Sequence, residues 1–151
     1  MFEKFFEGAS RIQELRDSPG GFLLDGFAKE LSQLGYAEIT ARRHIRAAEH
    51  LIHWSGSEGL PISSMTEKIV ERFDRHLDGC QCARFGHVHR LDLLNGVRLF
   101  LKHLRSIGEI TTAVDQPTTQ DPILLTEFCE WMRRLLVAGK KGQKWRRSSL
   151  Q

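Results

Sequence analysis

The apolar residues of this chain recur at three- and four-residue intervals almost from end to end. No run alternates polar with apolar for long enough to make a strand. That spacing restricts the chain to packed helices. The expectation is an all-α protein: a small four- to five-helix bundle, an extra helix before it and a cut-short helix after it. Its 151 residues suit one domain, or one domain plus a fragment. No stretch approaches the roughly 18 apolar residues of a membrane-spanning helix, so no membrane partner is expected. The opening MFEKFFEGASRIQE carries three acids and no long apolar run, unlike a secretory signal. Three cysteines are too few and too odd in number for a disulfide scaffold, which points to a cytoplasmic setting.

The helices are read in order. Residues 2–16 form the first, with Phe2, Phe5, Phe6, Ile12 and Leu15 inward, and residues 1–19 make a separate N-terminal helix and turn. Asp17-Ser18-Pro19-Gly20-Gly21 breaks the pattern. The second helix runs from about Phe22 to Leu34, with Leu23, Phe27, Leu31 and Leu34 on one face, and stops at Gly35. Thr40 caps a third helix, about Ala41 to Trp54. Ala41, Ile45, Ala48 and Ile52 make its apolar stripe. Arg42, Arg43, Arg46, Glu49, His50 and His53 share the opposite sector. Thr66 caps a fourth helix through Leu77, with Ile69, Val70, Phe73 and Leu77 inward. The longest helix runs from about Val88 to Ile107, with Leu93, Leu94, Val97, Phe100, Leu101, Leu104 and Ile107 in one sector. Residues 20–110 thus form the main domain. A polar linker covers 111–121, and 122–137 opens a further helical segment. The tail 138–151 reads as basic and disordered, since it is too poor in apolar residues to offset its ordering entropy.

Charge is modest overall, at +3, but unevenly spread: Arg133 to Arg147 holds seven Lys/Arg and no acid. The basic sector of the third helix is the first candidate for chemistry. Guanidinium groups on one helix face can reach phosphates and base edges. Arg98, Lys102 and Arg105 make a second basic stripe on the longest helix. A solvated helix face is the plainer reading of both. The second candidate is Cys80-x-Cys82 with His87-x-His89. Four soft ligands within ten residues suit Zn²⁺, but both spacings are tighter than the common ones, so no metal is expected. His87-Val88-His89-Arg90 spells H-x-x-R, and is read as coincidence because the only tyrosine, Tyr36, lies upstream. No phosphate-binding loop, nucleophile elbow, H-E-x-x-H or dinucleotide fingerprint is present, so no cofactor and no small-molecule substrate are expected.

The order of these features resembles the N-terminal helical region of phage-integrase-type tyrosine recombinases. The resemblance rests on Leu23-x-x-x-Phe27 and Leu31, Leu34-Gly35-Tyr36 and Thr40-x-x-x-His44. It continues with Leu51-x-x-Trp54, Ile62-x-x-Met65-Thr66 and Val70-x-x-Phe73. Cys80-x-Cys82 and Leu99-Phe100-Leu101-x-x-Leu104-Arg105 complete it. Pro122 to Arg134 resembles the start of a further helical segment in longer members. The resemblance implies a SAM-like bundle, the half of a DNA clamp that binds without cutting. In that family a catalytic domain with Arg, Lys, His-x-x-Arg and Tyr residues follows this region, and it is absent here. The chain is therefore expected to be a truncated, non-enzymatic, DNA-binding portion of a recombinase or integrase. Its expected partners are double-stranded DNA and other recombinase protomers. The expected DNA contacts are Thr40, Arg42, Arg43, Arg46, Arg98, Lys102 and Arg105. The alternative is a helical protein-interaction module that does not bind DNA.

Overall fold

The computed structural model describes residues 1–86, 89–111 and 131. By its internal contacts the chain divides into Met1–Thr112 and Ala113–Gln151, and the fold below is that of the first unit. The expected linker, cut-short helix and basic tail lie outside the described residues, apart from Thr111 and Trp131.

Five α-helices make a small all-α bundle, and the described residues hold no strand. They are α1 (Ala9–Asp17), α2 (Gly21–Gln33), α3 (Glu38–Ser57), α4 (Glu67–His76) and α5 (Arg90–Ser106). Helices α3 and α5 form the main pair. α2 packs on both, α1 on α2, and α4 on α5. Among the described residues no helix is long and apolar enough to cross a membrane.

Several boundaries differ from expectation for identifiable reasons. The first helix is interrupted: Phe2–Lys4 is one 3₁₀ turn, and α1 starts only after Gly8, which is extended (φ −84, ψ 118). Phe2, Phe5 and Phe6 are nevertheless buried, because the short turn folds back onto the bundle. Helix α3 begins at Glu38 with Ala37 as its N-cap, so Thr40 sits inside the first turn instead of capping it. Among the described residues α3, at 20 residues, is longer than α5 with 17. Thr66 does precede α4, but its hydroxyl makes no capping hydrogen bond. Leu34 and Ile107, placed inward by spacing, are 61% and 49% exposed, because each lies just past the end of its helix. The turn after α2 closes at Gly35, whose φ of +76 suits a residue without a Cβ.

The core is aromatic at its centre. Phe27 of α2 meets Phe100 of α5 with ring centroids 5.2 Å apart, and both are buried. Leu24, Leu31, Ile45, Leu51, Phe73, Leu101 and Leu104 are fully buried as well. Where α3 and α5 cross, Gly96 faces Ala47. A Cβ on Gly96 would lie 2.8 Å from the Ala47 Cβ and 3.2 Å from the His44 Cα. Small residues on both helices therefore set how near the two backbones come. His103 of α5 bonds through Nδ1 to the Glu30 carboxylate of α2, a polar tie beside the aromatic centre.

His44 lies beside the same crossing. Its Nδ1 is buried without a hydrogen-bond partner, and its ring meets Tyr36 edge-on at 5.5 Å. Burial lowers its proton affinity, against an opposing pull from Asp92. The unfolded chain therefore protonates this imidazole first as the pH falls. The stability gained from keeping it neutral is present above the unfolded value of about 6.5 and is lost below it. The urea midpoint should fall between about pH 7 and about pH 5, and His44→Gln should reduce that fall. Equal pH slopes for parent and variant would remove His44 from the account.

Candidate nucleic-acid interface and a Cys/His cluster

Helix α3 does not present an open polar face. Between Ala41 and Ser55 only Arg43, Arg46 and His53 are exposed. Glu49 is engaged by Arg11 of α1, with Nη1–Oε1 at 2.9 Å and Nη2–Oε2 at 2.5 Å. His50 is buried at 3% exposure, under Phe85 of the connection that follows α4. The sector that spacing assigns to solvent is thus covered in part: Arg42 by the N-terminal turn, Glu49 by Arg11 of α1 and His50 by Phe85. Periodicity shows which residues share a face. It does not show what crosses that face.

The seven expected DNA contacts divide accordingly. Arg42 is half-buried: its Nε donates to the Phe5 carbonyl at 2.7 Å, Nη2 bonds Glu38 at 2.8 Å, and the guanidinium lies over the Phe6 ring. It fastens the N-terminal turn to α3. Arg98 pairs with Glu67 of α4 at 2.9 Å. Thr40 is half-buried. Arg43, Lys102 and Arg105 are exposed, with no hydrogen bond or ion pair among the described residues. Arg46 makes one long bond, 3.3 Å, to the Arg84 carbonyl. Arginines 11, 16, 42, 72, 84, 90 and 98 each have a carboxylate partner, so on α3 the pair 43 and 46 stands out as uncompensated. These two border a cleft of about 320 Å³ beside the start of α5, which His89 and Asp92 also line. Asp92 is the one carboxylate among those lining residues. No hydrogen bond or ion pair among the described residues joins the 43/46 pair to the 98/102/105 stripe.

The cysteines do meet histidines, but not the expected ones. His87 lies outside the described residues, and His89 lines the cleft. Cys80 Sγ instead lies 3.4 Å from Nε2 of His50, and Cys82 Sγ 3.3 Å from Nε2 of His76. All four donor atoms lie within 4.8 Å of one another. His50 comes from the middle of α3 and His76 is the last residue of α4. The cysteines follow a 3₁₀ turn at Leu77–Gly79. Burial first, then His76 and His53, holds the His50 imidazole down at about 4, so it is neutral at neutral pH. Burial first, then the neighbouring Cys80, pushes the Cys82 thiol up to about 11. Both cysteines are free.

The junction below this cluster is fastened by Arg90. Its Nε and Nη1 reach Asp74 and Asp78 at 2.5 Å each, and Nη2 donates to the Asp74 carbonyl at 2.7 Å. Those partners flank His76 in sequence, so one guanidinium from α5 holds the end of α4 and the turn after it. The sequence signal for this arrangement was the Asp74/Asp78 pair bracketing His76, a spacing of four that a single Arg can span. No family model, curated protein or solved structure matches the chain.

Proposed function

We propose that this bundle is a DNA-binding module of the kind its sequence resembles, acting in recombination or integration and lacking strand-cleaving activity. The observation that carries the reading is the uncompensated Arg43/Arg46 pair, exposed on a helix whose other central side chains are almost all covered. A paired arginine must give up its carboxylate before meeting a phosphate. An unpaired one releases only counterions, which favours association at low salt. Lys102 and Arg105 offer a second set of free cations on α5. The sole tyrosine, Tyr36, is half-buried against His44, a poor position for a nucleophile that must reach a phosphodiester. A full-length recombinase protomer is the protein partner this reading implies.

The test is duplex binding by fluorescence anisotropy across salt concentrations. Replacing Arg43 and Arg46 together by alanine should weaken binding by about 1 kcal/mol or more for each. It should also make the salt slope shallower by about two, one for each lost phosphate contact. Folding should be little affected, because neither side chain is packed. Arg42 is unsuited to that variant, since its loss also releases the Phe5 carbonyl. Unchanged affinity and unchanged slope would defeat the DNA reading. The interaction-module alternative would then gain weight, because Leu34 and Ile39, 61% and 63% exposed, flank the α2–α3 turn as an apolar pair.

A further inference from the structure

We propose that His50, His76, Cys80 and Cys82 form a tetrahedral zinc site that fastens the connection after α4 to the centre of α3. Zn²⁺ takes thiolate sulfur at about 2.3 Å and imidazole nitrogen at about 2.0–2.1 Å. Tetrahedral angles then place neighbouring donor atoms roughly 3.3–3.8 Å apart. The two sulfur–nitrogen separations, 3.4 and 3.3 Å, already fall in that interval. The widest separation in the cluster, 4.8 Å or less, closes with a small movement of the loop that carries the cysteines.

Simple thiol–imidazole hydrogen bonding accounts for two separate pairs. It gives no reason for both pairs to converge on a common centre. Here four soft donors from three parts of the fold converge, one of them 30 residues from the nearest cysteine. A set of two thiolates and two imidazoles in tetrahedral array suits zinc among the common divalent metals. Four protein ligands leave no open position for water, so the site is structural and not catalytic. The surroundings hold the donors in place. Phe85 stacks on the His50 ring with centroids 4.3 Å apart and planes 4° from parallel. Arg90 fixes Asp74 and Asp78 on either side of His76. The imidazoles bind as neutral bases, and each thiol gives its proton to solvent as its sulfur joins the metal. The connection from 77 to 86 places only the partly buried Leu77 and the Phe85 ring against the bundle and no fully buried aliphatic side chain, so a metal adds anchoring beyond that packing. This site is independent of the DNA-binding reading.

The experiment uses the full chain, refolded under a phosphine reductant with Zn²⁺ or Co²⁺ alone. One zinc should remain bound after gel filtration. Cobalt should give the near-ultraviolet sulfur-to-metal band and the intense visible bands of tetrahedral coordination. Cys80→Ser and Cys82→Ser should each weaken cobalt binding by more than the roughly 10–100-fold that losing an outer partner costs. His89→Ala should leave it unchanged, as should replacement by serine of the third cysteine, Cys129, which lies outside the described residues. Chelation should lower the thermal midpoint of the parent. His76→Cys keeps four donors, and covers the case in which a serine variant fails to fold. It should still bind cobalt, with a stronger sulfur band from the third thiolate. No stoichiometric metal in the reduced parent would overturn the proposal. So would retention of metal by both serine variants, loss of it in His89→Ala, or an unaltered sulfur band in His76→Cys.

Discussion

Gly96→Val should unfold at a much lower urea concentration than the parent, with a loss of about 3 kcal/mol. Even a first carbon at this position meets the Ala47 Cβ at 2.8 Å, the His44 Nδ1 at 3.0 Å and the His44 Cα at 3.2 Å. Two of these contacts are a Cβ and a backbone atom, which cannot swing aside. The helices must separate, and the aromatic centre beside the crossing loses contact as they do. Valine adds two γ carbons and χ1 restriction in the middle of a helix. Gly96→Ala has a smaller net effect, because the roughly 1 kcal/mol helix-propensity gain over glycine offsets part of the clash. Native stabilities of about 5–15 kcal/mol make the valine loss a large fraction of the whole. Equilibrium urea denaturation followed by circular dichroism measures it. A valine variant as stable as the parent would mean that α3 and α5 do not cross here.

Phe27→Ala should cost about 3–5 kcal/mol, the usual range for an aromatic removed from a packed interior. Phe27 is 1% exposed and lies 5.2 Å from Phe100 and 5.6 Å from the His103 ring, centroid to centroid. Its removal opens a cavity between α2 and α5, beside the His103–Glu30 contact. The neighbours are rings, which collapse poorly into a void, so the upper half of the range is expected. Phe22→Ala, at a residue 70% exposed on the same helix, should stay within about 0.5 kcal/mol. Comparable losses for the two variants would contradict the orientation of α2.

The all-α class, the five helices of the described residues and most of the core were legible, because a 3.6-residue period reports burial directly. Leu23, Phe27 and Leu31 on α2, and Leu93, Leu94, Val97, Phe100 and Leu104 on α5, are buried where their spacing puts them. The period fails where a helix ends, as Leu34 and Ile107 show, since a residue past the last turn no longer shares the helix's face. It also fails to show third parties. Arg42, Glu49 and His50 lie opposite the α3 stripe, yet Phe5, Arg11 and Phe85 come from distant sequence to cover them. The Cys80/Cys82 pair was visible as soft ligands, but its histidines were not. Proximity in sequence favoured His87 and His89. The fold instead delivers His50 from a different helix, and His76 from a helix end whose side chain spacing alone would leave in solvent.

The covering of α3 also bears on how much of a duplex this helix can address. Arg43 and Arg46 are three residues apart, so the cationic window on α3 is about one helical turn, roughly 5.4 Å along the axis, with exposed His53 about two turns further on. Base pairs stack at about 3.4 Å, so such a window faces at most about two of them. A helix laid along a groove reads several bases because its whole length is free; this one is covered in part by the N-terminal turn, by Arg11 of α1 and by Phe85. DNA meeting α3 would be gripped through phosphates on a short stretch of one strand. Any preference for sequence would then have to come from surfaces other than this helix.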